Sequence, residues 1–189
     1  MKSQFTTVAY LSWLALGLVW LPGYFRSKRV SSAPNLALQI PTTILLTVGF
    51  VLLFNPGFRP LSQQITPRNG CFGMIGVVFD LAGVGFAIWA RLALGTNWSG
   101  IVATTKHGHE LVRTGPYAIV RHPIYAGMVL AAAGTALTIG TWASYSGFAA
   151  LLVAFMIRID LEEKLMGAQF GESHDAYRRQ TRKLIPFVW

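Results

Sequence analysis

From Ile124 to Ile157 the chain carries no Asp, Glu, Lys, Arg or His. As one helix this stretch would run roughly 50 Å, against a hydrocarbon core of about 30 Å. It has to fold back on itself. Gly140-Thr141 supplies the turn, which makes a tight hairpin of two apolar helices, spans four and five. Gly127, Ala131 and Gly134 along span four would let the two backbones of this hairpin approach closely.

The same blockwise apolarity occurs upstream. Phe5 to Tyr24, Leu36 to Phe54 and Cys71 to Ala90 each have the length and composition of a membrane helix. The first stretch is rich in Trp and Tyr and is followed by no small-x-small site, so it reads as an uncleaved helix rather than a signal peptide. Pro41 falls in the first turns of span two, where a missing N–H costs least. The expected fold class is therefore all-α, a polytopic membrane protein of about five transmembrane helices. Composition agrees: 53% of residues are hydrophobic and 12% charged, about half the charge of a soluble domain. The single cysteine, Cys71, excludes an intrachain disulfide and a thiolate metal cluster.

The net charge of +9 raises the question of nucleic acid, but its distribution argues for a membrane protein. The segments between spans one and two, between spans three and four, and after span five hold thirteen of the sixteen Lys and Arg residues. Cytoplasmic segments carry such an excess. This places the tail in the cytoplasm and the N-terminus outside, and implies an integral protein of the cytoplasmic membrane with no nucleic-acid partner.

Polar residues concentrate in the loop from Asn97 to Tyr125 and at the start of the tail, from Arg158 onward. The hairpin brings the end of one beside the start of the other. Arg158 and Glu162 are four apart and share a helix face, which suits an ion pair. Arg158 also lies at the membrane boundary, where an unpaired guanidinium is costly and tends to have a partner or a ligand. Arg121 and His122 precede Pro123, the first residue of span four, and could equally anchor the helix to headgroups, with Tyr117 and Tyr125 as an aromatic belt. A zinc site built on His107 and His109 lacks a third well-spaced ligand, so no metal is expected. Asp80 in span three would pair inside the bundle or be protonated there. His174 and the basic run from Arg178 to Lys183 read as a solvated or headgroup-contacting tail.

The pattern H-x-L-V-x-x-G-P-Y-x-x-V-R-H-P-x-Y-x-G, from His109 to Gly127, is followed after the hairpin by R-x-x-x-E-E at Arg158, Glu162 and Glu163. Phe170, Gly171 and Tyr177 then complete F-G-x-x-x-x-x-Y. This succession resembles the isoprenylcysteine carboxyl methyltransferase family, whose general plan the phospholipid methyltransferases share. The resemblance covers roughly residues 94–186. It implies S-adenosylmethionine as cofactor, held at the cytoplasmic membrane surface by loop 97–125 and tail 158–189 together. On this reading residues 1–189 form a single membrane domain, with 1–70 contributing spans one and two and 71–189 the catalytic part.

Carried over, the family pattern puts His109, Glu110, Leu111, Val112, Tyr117, His122, Pro123, Ile124, Tyr125 and Glu162 around the cofactor. Arg158 would face the acceptor and orient a carboxylate. Arg121, with His122, could satisfy the cofactor's own carboxylate. Methyl transfer from a sulfonium is an in-line displacement that needs alignment and water exclusion more than a strong base. A carboxylate acceptor would need no base. An amine or hydroxyl would, with Glu163, His122 or Asp80 as candidates, so Arg158 and Glu163 are the catalytic expectations. The acceptor would be a hydrophobic small molecule or a lipidated molecule met in the membrane, with membrane lipids as neighbours. Two other functions remain open on the sequence: an NADPH-dependent reductase of the sterol-reductase type, and a non-catalytic protein whose basic face binds anionic lipid.

Overall fold

A computed structural model describes residues 2–26, 36–67, 69–95 and 111–185. The described chain is helical: α1 (Lys2–Arg26), α2 (Leu36–Phe54), α3 (Gly70–Leu94), a short 3-10 turn (Gly115–Ala118), α4 (Pro123–Ile139), α5 (Trp142–Phe170) and α6 (Glu172–Gln180). α1, α3 and α5 are long and apolar enough to cross a membrane; α2 and α4 are shorter apolar helices. Leu11, Leu14 and Leu18 of α1 and Ile40, Ile44 and Val51 of α2 face outward, an apolar exterior that only lipid accommodates. The protein is an integral membrane protein.

The hairpin turns where the uncharged run predicts. Gly140 ends α4 with φ of 74°, in the left-handed region that glycine adopts freely. Thr141 then caps α5: its hydroxyl accepts the Ser144 N–H while the Ser144 side chain accepts the Thr141 N–H. The loop joining α2 to α3 closes over this turn. The Gln64 side-chain amide donates to the carbonyls of Ile139 and Gly140 at 3.0 and 2.9 Å, and Ile65 N–H donates to Gly140 at 2.7 Å.

Two features depart from expectation. The small residues of α4 serve its contact with α3, not with α5. A Cβ at Gly83 of α3 would strike the backbone of Gly127 and Ala131, and one at Gly134 would strike that of Gly76 and Asp80. The close crossing is therefore α3 on α4, a small-residue interface, while α2 and α5 meet through Gly49 and Gly147 against Leu151 and Leu53. Pro41 falls in the first turns of α2 as expected, but it lies past the unpaired N–H groups of the helix start, so its ring removes one helix hydrogen bond.

Asp80 is fully buried and accepts hydrogen bonds from Ser12 of α1 and, at 2.7 Å, from Thr135 of α4. Trp13 Nε1 donates to the same threonine at 2.9 Å. One carboxyl thus ties three helices at mid-bundle. Thr135 is thirteen residues along α4 from His122, roughly 20 Å, which removes Asp80 from the candidate bases.

Candidate functional site

α5 is 29 residues long, roughly 43 Å. Its last turns therefore reach past a bilayer core and carry Arg158, Glu162 and Glu163 to the end of the bundle where α4 begins. Pro123 starts α4 with no N–H to satisfy. His122 sits at the N-cap without making a capping bond through its side chain, so the imidazole is available to α5. The residues after α6 return alongside: Arg121 N–H donates to Arg182 O at 2.8 Å and His122 N–H to Lys183 O at 3.1 Å. Val120 and Arg182 form a parallel bridge. The tail is a strap across the Arg-His-Pro turn.

Beneath the strap is an ionic clasp. Glu163 Oε1 accepts from Arg121 Nε at 2.8 Å and from His122 Nε2 at 2.9 Å, and the three side chains are 8–9% exposed. Arg178 Nε stands 3.3 Å from Glu163 Oε2 without hydrogen-bond geometry, so that oxygen has a charge neighbour but no donor among the described residues. Arg121 Nη1 also donates to Thr181 O, at 2.5 Å. Burial pulls the His122 pKa down, but Glu162 and Glu163 outweigh it and leave the pKa raised.

A second group lies on the inner side of His122. Its Nδ1 is 3.7 Å from Glu162 Oε2. Tyr125 donates its hydroxyl to Glu162 Oε1 and packs its ring on Phe155, centroids 5.3 Å apart. Arg158 flanks the Tyr125 hydroxyl. It is 8% exposed, and its Nε has no hydrogen-bond partner among the described residues. The ion pair with Glu162 that the i,i+4 spacing suggests is absent among the described residues; Glu162 turns to tyrosine and histidine instead. The result is a buried cation beside a partly exposed carboxylate and two aromatic rings.

Tyr117 is buried in the 3-10 turn. Its carbonyl accepts the Tyr177 hydroxyl at 2.6 Å, which anchors α6 to the turn. Arg113 donates to Ser173 O at 2.9 Å and lies over the Tyr177 ring, a second anchor. Burial first, then Glu162, pushes the Tyr117 phenol up, and burial takes Tyr177 up to about 12; both stay neutral near pH 7.

Of the residues singled out in the sequence, Tyr117, Arg121, His122, Pro123, Tyr125, Arg158, Glu162 and Glu163 converge here. Leu111, Val112 and Ile124 are partly buried along the segment leading into α4. His109 and Glu110 lie outside the described residues. Arg178 and Thr181 are additions: their part in the clasp depends on where α6 turns, and spacing within the tail does not reveal that. His174, expected in a solvated or headgroup-contacting tail, is instead 2% exposed in the corner between α5 and α6.

The model of the isoprenylcysteine carboxyl methyltransferase (ICMT) family matches residues 75–168, from the second turn of α3 almost to the end of α5. The protein-S-isoprenylcysteine O-methyltransferase of Schizosaccharomyces pombe is 37% identical over 101 residues, 52% of this chain and 43% of that protein. The Xenopus laevis protein of the same name is 31% identical over 131 residues, 68% of this chain and 44% of its own. Protein-S-isoprenylcysteine O-methyltransferase A of Arabidopsis thaliana is 23% identical over 97% of this chain and 96% of that protein. Among solved structures, the eukaryotic intramembrane Ras methyltransferase ICMT superposes with a TM-score of 0.58 at 26% identity, over 78% of this chain and 53% of that one. The chain thus spans less than half the length of the fission-yeast and frog relatives. The matched span contains α4, nearly all of α5 and, from the clasp, Arg121, His122 and Glu163, and on that agreement of motif, fold and site the chain belongs to the isoprenylcysteine carboxyl methyltransferase family.

Proposed function

We propose that the protein is a membrane methyltransferase that moves a methyl group from S-adenosylmethionine to the carboxylate of a hydrophobic, lipid-like acceptor. The observation that carries this reading is Arg158. It is a buried guanidinium with an unpartnered Nε, set at the bilayer boundary beside Tyr125 and Glu162. Arg158 pairs with no carboxylate among the described residues; a buried cation is costly unless an anion completes it, and an acceptor carboxylate is such an anion.

The surrounding residues fit the cofactor. Tyr117, Tyr125 and the apolar Leu111, Val112 and Ile124 are suitable walls for a purine. Glu162 keeps lone pairs for ribose hydroxyls or an ammonium group. His109 and Glu110 belong to this set by the family pattern. S-adenosylmethionine bound there would supply an electrophilic methyl on a good leaving group.

The chain's own work is then alignment. Arg158 holds the acceptor carboxylate in a fixed plane. Tyr125 orients Glu162, and the strap excludes water from the turn. A carboxylate nucleophile is already ionised, so no general base is required. Glu163, with Oε1 occupied by Arg121 and His122, acts as the clasp that holds the turn against α5. The Lys/Arg distribution supports a site that faces the cytoplasm, where the donor is dissolved.

Calorimetric titration of S-adenosylhomocysteine, paired with turnover, tests the assignment. Glu162→Ala should weaken binding about tenfold to a hundredfold, the loss of a charge-assisted hydrogen bond. Arg158→Ala should bind like the parent yet lose turnover by about a hundredfold or more. Two variants that both bind and turn over as the parent does would sink the reading. Mass spectrometry of lipid extracts incubated with isotopically labelled donor would identify the acceptor.

A further inference from the structure

Outside the clasp, α6 and the strap enclose an open groove of about 450 Å³. Five of its lining residues are cations: Arg121, Arg178, Arg179, Arg182 and Lys183. The others are Thr181 and a single acid, Asp175. Some of this charge is already answered, Arg121 and Arg178 by Glu163 and Lys183 by Asp160. Five cations against three carboxylates still leave the groove positive. Arg179 and Arg182 are exposed and form no ion pair among the described residues.

The lining has no aromatic or aliphatic side chain, so it offers no wall for a purine, and its sign repels a sulfonium. The groove is therefore not a second face of the methyl-donor site. Its lower lip is at the bilayer boundary. Lys183 meets Asp160 at 2.8 Å, and Ile157, three residues earlier on α5 and so near the same face, is exposed, as is Ile185 two residues past Lys183. Cations above exposed isoleucines match the order of a phospholipid, anionic head above acyl chain.

The geometry points to a binding site for the phosphate of an anionic phospholipid headgroup, held by Arg179 and Arg182 with Lys183 at the lip. Nothing in this assignment depends on the methyl-transfer reading. A lipid seated there would also brace the strap, because Arg182 and Lys183 supply the carbonyls that hold the Arg121-His122 turn.

Native mass spectrometry of the protein released from detergent tests this, after incubation with equal amounts of dioleoyl phosphatidylglycerol and dioleoyl phosphatidylcholine. The parent should retain phosphatidylglycerol preferentially. Arg179→Ala/Arg182→Ala should bind it roughly thirtyfold more weakly, about fivefold for each cation removed near a headgroup. Both side chains are exposed, and an unchanged melting temperature without lipid would confirm folding. If that temperature falls, Arg179→Lys/Arg182→Lys, which keeps the charge, should restore the preference. In a second arm, inorganic phosphate should raise the melting temperature of the parent less than the lipid does. No preference for phosphatidylglycerol in the parent, an equal preference in the double alanine variant, or stabilisation by inorganic phosphate that matches the lipid's would each overturn the proposal.

Discussion

His122 shows how one residue can belong to two circuits. Its Nε2 faces Glu163 and the clasp, and its Nδ1 faces Glu162 and, through it, Tyr125. Its folded pKa is raised, so its contribution to stability is fully present below the unfolded value of about 6.5 and is lost as pH climbs through the folded one. Thermal unfolding of the parent and His122→Gln in detergent should therefore differ most below about pH 6.5 and converge as the pH rises through the raised folded value. A constant gap across that range would mean that the imidazole acts through packing, not charge. Replacing Glu163 with alanine should be harsher, about 3–5 kcal/mol, because it leaves Arg121 and His122 buried without their anion. The participants just before α4 and on α5 were legible in the sequence, since Arg121, His122, Glu162 and Glu163 stand on either side of a hairpin that the uncharged run requires. Their pairing was not. The i,i+4 spacing favours Arg158 with Glu162, whereas tertiary approach gives Glu162 to Tyr125 and His122 and leaves Arg158 beside the Tyr125 hydroxyl with its Nε unpartnered among the described residues.

Among the elements, the α3–α4 pair is the most constrained. Glycines at 76, 83, 127 and 134 bring the two backbones so near that an added methyl meets main-chain atoms, which cannot yield as a side chain can. Gly83→Leu should cost at least about 1–3 kcal/mol in detergent unfolding, and the same change at Gly85, whose Cβ would meet nothing, should be nearly neutral. Thr141→Ala removes the cap of α5 and should cost about 1 kcal/mol. The sequence shows these small residues but not which helix they face. A stripe on α4 is compatible with either neighbour, and the choice is made by the complementary glycines of α3, which meet it only in the folded bundle. The hairpin itself was readable because an uncharged segment longer than the bilayer has no other way to fit.

For the whole molecule, the strap after α6 completes what α4 and α5 begin. Truncation after Gln180 should leave the helices intact by circular dichroism. If the ordered turn falls to about a tenth of its population, apparent affinity for S-adenosylhomocysteine drops about tenfold. An undiminished affinity would show that the turn holds its shape without the tail. α5 has a different consequence. It runs unbroken from Trp142 to Phe170, with lipid around its first half and Arg158 and the clasp's acid on its last turns. A helix in a bilayer too thin or too thick for its apolar length tilts to compensate, and a rigid rod that tilts at one end swings at the other. Acyl-chain length in a reconstituted membrane thereby becomes a mechanical input to the distance between Arg158 and Tyr125, and turnover should peak at one thickness and decline on both sides of it.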